Sequence, residues 1–184
     1  MRSLTIFCGS SKGFNEEYEK QAVLLGQLAA RHDIEIIYGG SSSGLMGTLA
    51  DSVLRNGGKV TGIIPESLMS KEAAHQHLNN LITVKTMHER KALMYEKGEA
   101  FVAMPGGIGT LEEFIEILTW GAIGHHKKTC GLFNVNQYYR PLSDLFEHMV
   151  NEGFLAEHIA EQIITEEEPG LLLEKLGMYE PEKQ

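Results

Sequence analysis

Residues 100–113 read AFVAMPGGIGTLEE, and this stretch decides the fold. Ala100–Pro105 is a short, nearly continuous apolar run, as expected of a strand covered on both faces. It passes through Gly106, Gly107 and Gly109 into Thr110–Ile123. There Leu111, Phe114, Ile115, Leu118 and Ala122 recur at offsets of 0, 3, 4, 7 and 11, which describes one buried helix face. Strand, glycine turn and helix together form the repeating unit of an α/β protein.

The same unit recurs in both directions. Ser3–Cys8, Ile34–Tyr38, Lys59–Pro65, Leu81–Thr86 and Thr129–Val135 read as further strands. Helix periodicity covers Glu16–Arg31, Leu45–Asn56, His88–Lys97 and Pro141–Glu152, with a short amphipathic helix at Pro169–Leu176 set against the sheet edge. The alternation predicts a doubly wound, Rossmann-like α/β fold: a mainly parallel sheet of six to seven strands with helices on both faces. A chain of 184 residues and 20.4 kDa suits one domain spanning 1–184, and no repeat or linker divides it. Glu66–Asn80 is the longest poorly periodic connection. Loops of that length often border a site.

Nine of the 20 glycines follow the carboxyl ends of three strands. They lie in Gly9–Gly13, in Gly39-Gly40 with Gly44 and Gly47, and in Gly106-Gly107-Ile108-Gly109. Each cluster runs into a helix, and that sheet edge is where open α/β sheets bind ligands. Glycine lets backbone N–H groups approach an anion, and the helix start adds its positive end. A phosphate is the ligand this arrangement suits. The sequence has no G-x-x-x-x-G-K-[ST], and its first turn lacks G-x-G-x-x-G, so neither a P-loop nor an ordinary NAD site fits.

The net charge of −9 (16 Lys+Arg, 25 Asp+Glu) excludes a nonspecific nucleic-acid binder and disfavours an anionic membrane surface. Ten of the carboxylates, against two lysines, fall in residues 147–184. The portion carrying the glycine clusters is nearly neutral and does not repel a small phosphate. No apolar run approaches the roughly 18 residues of a spanning helix, and Met1–Cys8 is too short for a signal peptide. Cys8 and Cys130 sit inside apolar runs, which predicts buried thiols in a reducing cytoplasm. His75-x-His77 and His125-His126 lack the partners of a zinc set, so no metal is expected.

Two charged clusters remain. Glu112 and Glu113 fall off the apolar stripe beside the third glycine cluster. Thr110-x-x-Glu113 matches a capping box, which accounts for one acid. A second acid beside a phosphate is repelled by it and is a candidate for chemistry. In Met87-His88-Glu89-Arg90-Lys91, the spacing of Arg90 from Met87 and Met94 turns it toward the protein, where its planar fork would meet a carboxylate or phosphate. A purely structural ion pair is the alternative.

These clusters together resemble a known family. Pro105 through Glu113 is similar to the PGGxGTxxE signature of the LONELY GUY family, whose members are often labelled lysine decarboxylases, and Met87 through Lys91 to its MHxRK motif. Cys8-Gly9-Ser10-Ser11, Gly44-Leu45-Met46-Gly47, Trp120–Lys127 and Phe133-Asn134-Val135 resemble further family segments, so the likeness runs from Phe7 to Pro169. Ser41 departs from the Tyr-Gly-Gly-Gly common in the second loop.

The resemblance implies a phosphoribohydrolase without metal or other cofactor. Such an enzyme hydrolyses the N-glycosidic bond of a nucleoside 5′-monophosphate, either a cytokinin riboside monophosphate or AMP. It further implies Arg90 and Glu113 as catalytic residues. Substrate contacts would come from Glu72, Arg90, Lys91, Gly106, Gly107, Ile108, Gly109, Thr110, Leu111, Glu112 and Thr119, in a homodimer with sites near the subunit interface. A non-catalytic nucleotide or molybdenum-cofactor carrier is the rival on the same fold. Lysine decarboxylation fits poorly, because only Lys91 sits in a motif and nothing marks an acidic partner for a pyridoxal ring. Met46, Met69, Met87 and Trp120 are candidates for an apolar base pocket.

Overall fold

The computed structural model describes residues 2–69 and 73–180. Its strands are β1 (Arg2–Phe7), β2 (Ile34–Tyr38), β3 (Val60–Pro65), β4 (Asn80–Val84), β5 (Ala100–Ala103), β6 (Thr129–Phe133) and β7 (Ile163–Glu166). They form one sheet in the order β4-β3-β2-β1-β5-β6-β7, with every neighbouring pair parallel. The chain winds outward from β1 to β4, then crosses back to the other side of β1 and continues to β7. The reversal falls between β1 and β5, which pair from Leu4↔Ala100 to Phe7↔Ala103. At such a reversal the loops leave neighbouring strands toward opposite faces and open a crevice.

Alternation along the strands assigns the helices to two layers. Leu4, Ile6, Ile36 and Val102 pack with Leu25, Leu49 and Leu172, which belong to α1 (Glu16–Arg31), α2 (Gly44–Arg55) and α8 (Pro169–Lys175). Phe7, Ile37, Phe101 and Ala103 pack with Met94, Phe114 and Phe146 from α4 (Met87–Lys97), α5 (Ile108–Ala122) and α6 (Arg140–Asn151). Two single-turn helices, α3 (Glu66–Met69) and α7 (Glu157–Ala160), complete the connections with a 3-10 turn at Val135–Gln137. No helix among the described residues is long and apolar enough to cross a membrane.

The doubly wound fold expected from the alternation is the fold observed. The spans of α1 and β2 agree at both ends, and most other elements shift by one or two residues. Strand β7 has no counterpart in the sequence reading: its four residues, IITE, lie in the acidic C-terminal segment and are too short to show alternation. The tail helix begins where Pro169 follows Glu168, whose carboxylate accepts from Gly170 N and Leu171 N, a capped start with proline in its first turn. Leu172 and Leu173 are fully buried.

The loops after β1 and β2 are pressed together at the carboxyl edge. Leu45 N donates to Gly9 O at 3.1 Å. Gly44 has φ +59°, and a Cβ there would overlap the Ser10 backbone. Gly44→Ala therefore meets both backbone strain and a backbone clash. We expect it to lower stability by about 2 kcal/mol or more, read as a fall in the urea midpoint at unchanged m-value.

Candidate active site

The crevice at the β1/β5 reversal holds a cavity of about 390 Å³. Its walls come from Cys8–Ser10 after β1, Gly39 after β2, Met46 of α2, Leu68 of α3, Met87 and Arg90 of α4, and the first turns of α5.

Helix α4 starts at a side-chain cap: Thr86 Oγ1 accepts from Glu89 N at 3.1 Å, while Glu89 accepts from Lys85 N at 2.8 Å. One turn on, Arg90 is 7% exposed. Its Nε donates to Ile63 O of β3 at 3.1 Å, and its Nη1 lies 3.2 Å from Glu113 Oε1 on α5. Its Nη2 lies against Gly39, where any Cβ would overlap it. The guanidinium is thus fixed by a strand, a helix and a loop before any ligand arrives. The side chain does turn toward the protein, as its spacing predicts.

Lys91, the next residue, makes a separate link. Its Nζ reaches Glu112 Oε1 at 2.7 Å and Glu116 Oε1 at 3.0 Å. The Glu112 hydrogen bond, reinforced by Glu116 and opposed by partial desolvation, raises the lysine pKa above its ordinary value. Lys91 is therefore a committed ammonium.

Helix α5 opens differently from the capping box read in the sequence. It begins at Ile108 with Gly107 as N-cap and no side-chain cap, so Thr110 lies inside the first turn. The buried Thr110 instead fills the space that a Cβ on Gly106 would need. Glu113 is thereby left to Arg90 rather than to a capping role. Around Gly107 and Gly109 a Cβ would meet nothing within 4 Å. Neither has a positive φ. No contact among the described residues requires glycine at these two positions, and both line the cavity.

Of the residues singled out in the sequence, Arg90, Gly107, Ile108, Gly109, Thr110, Glu112 and Glu113 line this one cavity. Gly106 packs behind it against Gly9 and Thr110. Leu111 is half-buried against the core, and its N–H donates to Gly107 O at 3.2 Å. Thr119 lies two turns further along α5, exposed and away from the cavity, its hydroxyl donating to Ile115 O at 2.7 Å. Glu72 lies outside the described residues. Met46 and Met87 line the cavity, whereas Met69 does not and Trp120 packs edge-on against Tyr95 at 5.2 Å.

Both thiols are buried, and two of the imidazoles are tied to neighbouring elements. Burial, and then Glu113, push the Cys8 thiol far above its ordinary range, and burial pushes Cys130 up to about 12. Both stay protonated and free. His75 Nε2 bonds Asp51 at 3.1 Å, and His126 Nε2 bonds Ile117 O at 2.8 Å. Sequence reasoning placed Gly39 in the second glycine cluster but missed Leu68 and the Ile63 carbonyl. A carbonyl anchor leaves no residue-type signal, and Leu68 falls in the aperiodic connection.

The chain matches a family model described as "Possible lysine decarboxylase" over residues 46–176. It is 48% identical over 165 residues to a cytokinin riboside 5′-monophosphate phosphoribohydrolase of Rhodococcoides fascians, covering 89% of this chain and 83% of that protein. The phosphoribohydrolase LOG of Oryza sativa subsp. japonica is 42% identical over 181 residues, covering 98% of this chain and 75% of that protein. Among solved structures, the molybdenum cofactor carrier protein of Chlamydomonas reinhardtii superposes with a TM-score of 0.72 at 16% identity, covering 97% and 99% of the two chains. A molybdenum cofactor binding protein from Rippkaea orientalis superposes at 0.71 with 18% identity and 96% coverage of each. At those identities the likeness is one of fold.

The Lys91 pairing has a testable pH signature. A raised lysine pKa contributes stability that is fully present below the ordinary lysine range and is lost as pH rises through the raised value. Lys91→Met should therefore have a lower urea midpoint than wild type at pH 7. The difference should shrink as pH rises past the lysine range, followed by urea titrations at successive pH values.

Proposed function

The chain belongs to the LONELY GUY family of cytokinin riboside 5′-monophosphate phosphoribohydrolases, and we propose that it acts as such an enzyme, on cytokinin riboside 5′-monophosphates or AMP. The products are free base and ribose 5-phosphate. The observation that carries this reading is the pairing of buried Arg90 with part-buried Glu113 beside the uncapped, glycine-opened start of α5.

The 5′-phosphate sits at that helix start, where the N–H groups of residues 107–110 have no intrahelical partner and the helix dipole is positive. The base then leaves C1′ with the electron pair of the glycosidic bond, and positive charge develops on the ribose. Glu113 stabilises that charge and orients a water molecule. The water oxygen bonds C1′, its proton passes to the carboxylate, and that proton is released as the departing base nitrogen takes one up, which leaves neutral base and an ionised Glu113. Arg90, anchored at Ile63, holds Glu113 in place. Gly106, Leu111, Glu112, Lys91, Thr119 and Glu72 complete the substrate contacts by family resemblance. Schiff-base chemistry at Lys91 would need a neutral amine, and this ammonium is held by two carboxylates.

Thr119, exposed and off the cavity of its own chain, supports a homodimer in which this face of α5 approaches a second site. The single domain of residues 1–184, with two buried free thiols, suits the cytoplasm.

Glu113→Gln and Arg90→Ala should each lower ribose 5-phosphate release from AMP by at least about a hundredfold. Near-wild-type turnover in either would overturn the assignment, and AMP bound but left intact by wild type would indicate a carrier. Comparing AMP with N6-isopentenyladenosine monophosphate separates a general AMP nucleosidase from a cytokinin-activating enzyme. Sedimentation should give twice the 20.4 kDa chain mass.

A further inference from the structure

Gly106 and Gly107 are the pair of residues least able to hold their shared peptide in one orientation. Neither has a Cβ, so rotating the plane about Gly106 ψ and Gly107 φ meets little intrinsic resistance. The orientation matters because C=O and N–H point in opposite directions across a trans peptide. One orientation offers the Gly107 N–H to an anion in the cavity; the other turns a carbonyl oxygen toward it.

The four successive carbonyls from Met104 to Gly107 are all tied to donors. Met104 O accepts from Tyr139 Oη at 2.6 Å, and Pro105 O from Gly9 N at 3.0 Å. Gly106 O accepts from Tyr138 Oη at 2.5 Å, and Gly107 O from Leu111 N at 3.2 Å. Only at the Gly-Gly peptide is the donor an exposed side chain. Tyr138 does not line the main cavity. It lines a smaller neighbouring one of about 210 Å³ that also includes Gly106 and Gly107. Gly107 alone of these three belongs to both, so a carbonyl drawn toward Tyr138 sends the Gly107 N–H to the other side.

The tyrosine is itself held in place. Asn136 and Gln137 adopt left-handed backbone at φ 52° and 56°, a costly turn for two non-glycine residues. Beyond it, Tyr139 N donates to Asn134 Oδ1 at 2.7 Å, and Asn134 N to Glu166 O of β7 at 2.8 Å. The Tyr138 ring stands edge-on to Tyr18 at 5.7 Å and to Tyr139 at 5.1 Å.

We propose that Tyr138 is a positioning residue of the phosphate-binding loop: its hydroxyl fixes the Gly106–Gly107 peptide so that the Gly107 N–H faces the 5′-phosphate. This rests on the reading that the phosphate sits at the start of α5.

Tyr138→Phe keeps both ring contacts and removes only the hydroxyl. The KM for AMP should rise about three- to tenfold, and the Kd for ribose 5-phosphate, by calorimetry, should rise by a similar factor. Because the reacting atoms are untouched, kcat should stay within about twofold of wild type, and the unfolding midpoint should hold. Unchanged ribose 5-phosphate affinity overturns the proposal, as does a fall in kcat at constant KM or a loss matched by a lower unfolding midpoint. Failure of the wild-type chain itself to bind ribose 5-phosphate overturns instead the phosphate reading beneath it, and the proposal with it.

Discussion

A guanidinium taken out of water must find acceptors for its donors, because an unpaired buried charge costs several kcal/mol. Arg90 meets this requirement through groups far apart in sequence: the Ile63 carbonyl of β3 and the Glu113 carboxylate of α5. It also occupies the space left by the missing side chain of Gly39. That requirement sets how α4 and α5 approach the sheet at the reversal point. The cavity between them takes its shape from the same contacts. A change that removes Glu113 leaves the charge buried with one acceptor fewer, so the catalytic candidates also carry structural weight.

The glycine clusters look uniform in the sequence, and the structure separates them by cause. Gly39 makes room for an arginine, Gly44 and Gly47 let loop backbones touch, and Gly106 makes room for Thr110. Only Gly107 and Gly109, among those of the third cluster, face open space. The sequence reading of nine glycines as one anion signature therefore compresses several requirements into one. Where the missing Cβ is explained by a protein contact, the glycine says nothing about ligands. Where it is not, the backbone is kept bare toward the cavity.

What could be read in advance follows from the range of each interaction. Helix periodicity and apolar strands are local patterns, and they place α1, β2 and the doubly wound order of elements. The capping box fails for a related reason. Thr-x-x-Glu occurs at both Thr86 and Thr110, yet only Thr86 caps, because α4 begins directly after it while α5 has already begun two residues earlier. Arg90 could be placed on the inner face from its spacing, but its acceptor at Ile63 lies 27 residues away and is a backbone atom. Strand β7 is fixed by pairing with β6 rather than by its own four residues.

On the proposed reading, in which this cavity takes a phosphate, the charges near it bear on how that anion is held. Arg90 is committed to Glu113 and Lys91 to Glu112 and Glu116, so each motif cation already faces a carboxylate. Three acids against two bases leave this cluster of side chains with no net positive charge to offer a phosphate. Attraction must then come largely from the backbone, through the uncapped amides of α5 and its dipole, each of which acts only over the first turn. Amides attract an anion only when they point at it, so recognition depends on peptide orientation more than on side-chain charge. Bare glycines allow the anion close approach and also make the peptides easy to turn. The hydrogen bonds that restrain the loop carbonyls are what reconcile those two effects.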